Sequence, residues 1–176
     1  AATMSSSYGV YGPAFELMEH TSRPSSEGLG SEEYIDSEKY EVRRWDVQRS
    51  ESLREIIAIV NQARRTNPAL QSNRSFRAHR IDNGQIIAYS KETDDLTNIV
   101  LVAVNLDPEN AQSGWLHLPV EDWGIGADEP FQVHDLLTGA RYAWQGSDNY
   151  VELDPQVMPA HLFVVRRRKG SGWEFE

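Results

Sequence analysis

The chain has 176 residues, a formal net charge of −10 and no cysteine. Hydrophobic residues make up 39% and charged residues 25%, an ordinary balance for one globular domain with a smaller attachment. The negative charge disfavours adhesion to nucleic acid or an anionic membrane. The missing cysteines exclude a disulfide framework and thiolate metal sites, and no stretch nears the roughly 18 apolar residues of a membrane helix. Nothing in this composition points to an oxidising compartment, so a cytoplasmic location is the expectation.

The opening residues, Ala1-Ala2-Thr3-Met4-Ser5-Ser6-Ser7, lack the basic and apolar regions of a signal peptide. No Met stands at position 1, and Tyr8-Gly9-Val10-Tyr11 reads as buried chain rather than a free terminus. The expectation is a chain that begins within a longer protein. Up to residue 50 the sequence is rich in Ser, Gly, Glu and Tyr with little hydrophobic period, and Thr21-Ser22-Arg23-Pro24-Ser25-Ser26-Glu27-Gly28-Leu29-Gly30 is loop. A loop zone of this length is unusual in a compact domain unless it is functional or has lost the body it packs against.

At 51–66 the pattern becomes an amphipathic helix. Ser52 and Glu55 have capping-box spacing. Leu53, Ile56, Ile57 and Val60 form one apolar stripe, widened by Ile59 and Ala63. Asn67-Pro68 ends the helix, because a residue before Pro is pushed out of the α region. A stripe of this kind has to be covered, either by the β-rich remainder of the chain or by a barrel outside it.

From about residue 75 onward strands alternate with turns, at 76–81, 85–91, 98–106, 114–118, 131–136, 141–144, 150–153 and 160–166. Asn83-Gly84 between the first two is a strong hairpin signal. Ile99-Val100-Leu101-Val102-Ala103-Val104 is apolar on both faces, as a central strand should be. Leu137-Thr138-Gly139 and Gly146-Ser147-Asp148 supply further turns. The expected fold is mainly β: an antiparallel Greek-key β-sandwich preceded by one helix and loops.

Few residues in the strand zone suggest chemistry. His79, His117, His134 and His161 fall on different strands without metal-ligand spacing, so satisfied or solvent-facing histidines account for them. Gly124-Ile125-Gly126 lacks the helix start and the Lys of a phosphate loop, and no nucleophile elbow supports a Ser-His-Asp triple. Trp115, Trp123 and Trp144 are candidates for a sugar-stacking platform, set against the commoner use of Trp in sandwich cores. Arg166, Arg167, Arg168 and Lys169 read as a solvated strand edge or tail. In the loop zone, Lys39 stands among Glu32, Glu33, Asp36, Glu38 and Glu41, which by spacing alone is a solvated charged face.

Two segments of that zone carry a resemblance. Tyr8-Gly9-Val10-Tyr11-Gly12-Pro13-Ala14-Phe15-Glu16-Leu17, followed by Gly30-Ser31-Glu32-Glu33-Tyr34 and Asp36-Ser37-Glu38-Lys39-Tyr40-Glu41, resembles the α-1,4-glucan:maltose-1-phosphate maltosyltransferases of the α-amylase superfamily. The likeness continues through Asn67-Pro68-Ala69-Leu70 and Val102-Ala103-Val104-Asn105-Leu106-Asp107-Pro108. It implies that residues 1–70 are the end of a catalytic (β/α)8 barrel, comprising its last strand, an active-site loop and its last helix. Residues 71–176 are then the C-terminal β-sandwich. Residues 8–41 would lie at the active-site rim, since barrel sites are built on loops after the strands' C-terminal ends.

The resemblance also implies a chemistry. Lys39 and Tyr40 match a Lys-Tyr pair that helps hold the donor, an ammonium serving phosphate or hydroxyls and a phenol serving stacking and hydrogen bonding. The intact enzyme would move maltosyl units from α-maltose 1-phosphate to α-1,4-glucan in glycogen metabolism, with no metal or organic cofactor. A retaining mechanism needs two carboxylates about 5 Å apart. In the family these come from earlier strands, and none of Glu16, Glu19, Glu32, Glu33 or Glu38 matches their motifs. No catalytic residue is therefore assigned, and the chain alone is expected to be inactive. The implied partners are maltose 1-phosphate, α-1,4-glucan and the catalytic barrel, with a homodimer as the candidate assembly of the parent. The rival readings are an amylase-like glucan hydrolase or branching enzyme, and a free-standing carbohydrate-binding β-sandwich module.

Overall fold

A computed structural model describes residues 1–10, 12–22, 24, 44–169, 172, 174 and 175. It divides into two units, Ala1–Ser7 with Gln62–Glu176, and Tyr8–Asn61.

Eight strands form in the first unit: β1 (Arg77–Ile81), β2 (Ile86–Glu92), β3 (Ile99–Asn105), β4 (Gln112–His117), β5 (Pro130–Asp135), β6 (Arg141–Gln145), β7 (Asp148–Leu153) and β8 (Ala160–Arg166). Each falls where alternation places it, within two or three residues. All pairings are antiparallel, in the order β6-β5-β8-β3-β2-β1-β4-β7. β1 is shared between two wings. Its Arg77, Ala78 and His79 pair with Ser90, Tyr89 and Ala88 of β2, whereas Arg80 and Ile81 pair with His117 and Leu116 of β4. The ladder turns at this strand, so that β4 and β7 cover the wider wing. One core cluster accordingly takes Leu116, Val151 and Leu153 from the smaller wing and Ile86, Leu101, Phe131 and Phe163 from the larger. β8 returns from β7 to lie between β3 and β5, the Greek-key move.

The doubly apolar β3 has a physical reason. Ile99, Leu101 and Ala103 face the inter-sheet core, while Val100 and Val102 face a second cluster with Leu70, Ala69, Ala63, Tyr89 and Leu162. The second cluster sits under the 3₁₀ turn Pro68–Gln71. The β1–β2 hairpin is set by Asn83, whose side-chain oxygen accepts from Gln85 N (2.8 Å). A second 3₁₀ turn, Val120–Trp123, inserts the fully buried Trp123 into the core. Gly124 closes that turn with φ +72, a left-handed position that a Cβ would strain. Gly124-Ile125-Gly126 is thus a helix stop, with Ile125 in the core.

Residues Ala1–Ser7 are stitched to the same unit by side chains. The Arg64 guanidinium donates to the carbonyls of Ala2, Ser5 (3.0 Å) and Ser6 (2.6 Å), and Lys91 Nζ donates to Met4 O (3.3 Å). Lys91 is 1% exposed, and burial together with the charge of Arg64 lowers its pKa.

In the second unit a short helix α1 (Gly12–Glu16) forms where the sequence shows no helical period, so among the described residues two helices rather than one precede the sandwich in the chain. The longer α2 (Arg54–Thr66) crosses the boundary between the units. Ser52 caps it: its Oγ accepts from Arg54 N (3.2 Å). The other arm of the expected capping box is replaced, because Ser52 N donates to Arg49 O (3.1 Å) rather than to Glu55. Leu53, Ile56, Ile57 and Val60 are only half-buried. The expectation of buried chain at Tyr8-Gly9-Val10-Tyr11 is not met. Tyr8 is half-buried, Gly9 and Val10 are exposed in irregular backbone outside either apolar cluster, and Tyr11 lies outside the described residues.

Candidate functional site

Lys39 and Tyr40, the expected donor contacts, lie outside the described residues. Within the unit Tyr8–Asn61, the described residues on either side of them in sequence are tied together. The Ser52 hydroxyl donates to Glu16 Oε1 (3.0 Å), Leu53 N donates to Glu16 O (2.8 Å), and Arg49 faces Glu19 at 3.7 Å. The Tyr8 hydroxyl donates to Asn61 Oδ1 (2.5 Å). Glu16, one of the acids matching no catalytic motif, therefore does structural work: it ties the outgoing helix α1 to the start of α2. Gly12 and Met18 both take positive φ (46° and 55°), bracketing the sharp path of that short helix.

The histidines do not converge. His79 is half-buried against the edge of Trp123 (centroids 5.9 Å). Its pKa is pushed down to about 4, first by burial and then by the charges of Arg77 and His117. His134 is lowered by burial and by Arg141 and Arg166, and its Nδ1 is buried without a hydrogen-bond partner. His117 forms an exposed pair with Asp148 (2.9 Å) in an open cleft of about 580 Å³ that Glu121, Asp122 and Gln145 also line. That cleft is polar and acidic, and the contacts of its charged side chains, His117 with Asp148 and Asp122 with Arg77, are exposed and solvent-screened. Among the described residues no three His, Asp or Glu side chains gather as metal ligands.

His161 is placed differently. Its Nδ1 faces Asp135 Oδ2 (2.9 Å), and Asp135 is fully buried. The carboxylate also accepts from Thr138 Oγ1 (2.8 Å), Leu137 N (3.1 Å) and Leu162 N (3.2 Å). Burial alone would raise this carboxyl, but the bonds from His161, Thr138 and the two amides override it and hold the pKa below its ordinary value. Asp135 thus locks the β5–β6 turn to β8 and orients the His161 ring.

That ring closes one end of a cleft of about 290 Å³ between β6 and β7. Tyr142 and Trp144 come from β6, Tyr150 and Glu152 from β7, and the buried Phe163 of β8 forms the floor. Trp144 meets Phe131 and Phe163 edge-on at 6.1 and 5.3 Å, and His161 stacks on Phe163 at 4.7 Å. Of the three tryptophans considered as a platform, the structure separates Trp123, which sits in the core and donates from Nε1 to Glu92 (2.8 Å). Trp144 lines the cleft. Trp115 lies outside it, in a cross-strand pair with Tyr150. Tyr142 and Tyr150 were missed by counting tryptophans alone. Strict alternation along β7 puts Tyr150 outward and Val151 inward, and that signal was available.

No helix among the described residues is long and apolar enough to cross a membrane. In fold the chain is similar to the α-amylase from Geobacillus thermoleovorans solved with acarbose, with a TM-score of 0.58 and 14% identity over 96% of this chain and 32% of that one. In sequence it is 46% identical, over 171 residues and 94% of its length, to an α-1,4-glucan:maltose-1-phosphate maltosyltransferase of Chlorobaculum tepidum. It is also 46% identical, over 98% of its length, to the protein of the same name from Corynebacterium glutamicum. The chain spans about a quarter of these relatives, 25% and 26% respectively. The family described as "GLGE, C-terminal" matches residues 78–165, which run from β1 through β8, and the chain belongs to that family.

Proposed function

We propose that this chain is the C-terminal part of a retaining maltosyltransferase. The intact enzyme transfers maltosyl units from α-maltose 1-phosphate to the non-reducing ends of α-1,4-glucans and releases phosphate. The observation that carries the reading is the 46% identity across 94% of the chain to the Chlorobaculum tepidum relative of that name. Residues 1–70 are the end of the catalytic barrel and residues 71–176 the sandwich. The half-covered stripe Leu53, Ile56, Ile57 and Val60 supports this division, because a helix so patterned is stabilised by packing that the rest of a barrel supplies. Lys39 and Tyr40 contact the donor in the intact enzyme. The nucleophile and general acid belong to earlier barrel strands, so turnover belongs to the parent and not to this chain. We place the parent in the cytoplasm, in glycogen-type metabolism, as a homodimer that uses no metal or organic cofactor.

The test is phosphate release from α-maltose 1-phosphate with glycogen as acceptor, run on the parent and on this chain. Release by the parent alone is expected, with Lys39→Ala raising KM for the donor by roughly tenfold or more, as loss of one charge-assisted contact does. Turnover by the chain alone overturns the division of labour. A folded parent that releases no phosphate but cleaves or branches glucan moves the reading to an amylase-like hydrolase or branching enzyme.

A further inference from the structure

Large apolar side chains left in water cost free energy unless something covers them, and three aromatic ones gather here on one side of the sandwich. Trp115 is 55% exposed, Tyr150 48% and Tyr142 42%. Trp115 and Tyr150 are direct cross-strand partners with ring centroids 5.6 Å apart and planes inclined at 63°. Tyr150 also walls the β6–β7 cleft, so the pair and the cleft form one continuous surface. Within the cleft the Glu152 carboxylate and the His161 imidazole stand beside the rings of Tyr142 and Trp144. The His161 ring is held in orientation by the buried Asp135 and does not need to be ordered on binding.

This pairing of aromatic faces with a few polar groups suits a ligand with apolar faces and hydroxyl edges. A sugar ring has both: its C–H groups lie on an aromatic face while its hydroxyls reach carboxylate and imidazole. The charge is consistent, since a chain of net −10 with Glu152 in the cleft repels anionic polymers and tolerates a neutral one. The inclination of Trp115 to Tyr150 suits a coiling chain better than a flat one. Successive rings of an α-1,4-glucan rotate as the chain coils, whereas a β-1,4-glucan is a flat ribbon that needs coplanar platforms. The cleft volume of about 290 Å³ lies at the small end for ligand sites, enough for the end of a chain.

We propose that the β6–β7 cleft and the Trp115–Tyr150 pair form an α-1,4-glucan-binding surface, with a terminal sugar in the cleft and the following units crossing Tyr150 and Trp115. The choice of α-1,4-glucan over other neutral glycans rests partly on the maltosyltransferase reading.

Affinity electrophoresis of the 176-residue chain in gels containing amylose tests the proposal, with hydroxyethyl cellulose as the β-linked comparison. Amylose should retard the chain and the cellulose derivative should not. Trp115→Ala should weaken retardation by about fivefold and Tyr150→Ala, which borders both parts of the surface, by more, while Phe76→Ala, an exposed aromatic outside the surface, should leave it unchanged. Thermal melts of each variant separate lost binding from lost folding. No retardation by amylose, retardation indifferent to both substitutions, or equal retardation by the two polymers overturns the proposal. Phosphate release by the parent is measured independently, so amylose binding without phosphate release refutes the maltosyltransferase reading alone, and the converse result refutes only the surface.

Discussion

Replacing Asp135 separates a charge-dependent lock from ordinary packing. Its two oxygens accept four bonds: Oδ1 from the amides of Leu137 and Leu162, Oδ2 from Thr138 and His161. In Asp135→Asn the amide oxygen keeps the two backbone donors. The new NH2 faces a hydroxyl that can turn to accept and a ring nitrogen that can switch tautomer, its other nitrogen lying 3.3 Å from Glu152 O. Only charge assistance is lost, about 1–2 kcal/mol. In Asp135→Ala the buried Leu162 amide and the part-buried Leu137 amide lose their partner, at about 1–3 kcal/mol each, so the expected cost is about 4 kcal/mol. Urea unfolding of the chain at pH 7 reads this directly. With a slope near 2 kcal/mol/M, the midpoint should fall by about 2 M for Ala and by about 0.5–1 M for Asn. Acid adds a signature with a definite sign. The native carboxyl titrates below its ordinary 3.8, so its contribution is complete above that value and is lost as pH falls through the lower native value. The gap between wild type and Asp135→Asn should therefore narrow below about pH 4. Equal costs for Asn and Ala, or an Ala cost under about 1 kcal/mol, would refute the reasoning.

Two further outcomes follow from single residues. His79 is held neutral, its pKa pushed down to about 4 from 6.5, so its ring resonances should titrate with a midpoint near 4 in an NMR pH series. Because the unfolded chain binds that proton first, the stabilisation is complete above 6.5 and is lost as pH falls toward about 4; a midpoint above 6 contradicts this. A Cβ on Gly114 would stand 2.7 Å from Asp82 Oδ1 and 3.0 Å from Ile81 Cγ1, and that same carboxylate oxygen accepts from Trp115 N (2.7 Å). Gly114→Ala should cost about 1–3 kcal/mol in urea unfolding and also weaken amylose retardation by displacing Trp115. A cost within about 0.5 kcal/mol would show that the close approach relaxes freely.

What could be read from the sequence depended on the range over which each feature is encoded. A strand's inward residues are set by its own alternation, which is why 160–166 matched β8 and the doubly apolar run became the central β3. The split of β1 between two partners was not legible, because five residues, Arg77–Ile81, carry no mark of where one pairing ends. Composition does not distinguish Trp123 from Trp115 and Trp144, because it does not say which element bears a residue. A 3₁₀ turn buried Trp123, and strand alternation exposed Trp115. The lock on Asp135 joins residues 26 apart, and only its local half, the Asp135 to Thr138 turn, had a signature.

The two candidate sites divide along the same line. Lys39 and Tyr40 have no physical signature in a run of acids, and they came from likeness to a family. The aromatic surface needed only β4 to pair with β7, which sets Trp115 opposite Tyr150. That pairing is a long-range fact, 35 residues apart by number, and no local period announces it. Once the register is known, exposure and alternation suffice, and no relative has to be consulted to see that Tyr150 belongs to both the pair and the cleft. A side chain shared in this way couples the two parts of the surface. If glucan spans both, Trp115→Ala and Tyr142→Ala should each weaken retardation, and Tyr150→Ala should weaken it more than either, because it removes contact from both parts at once.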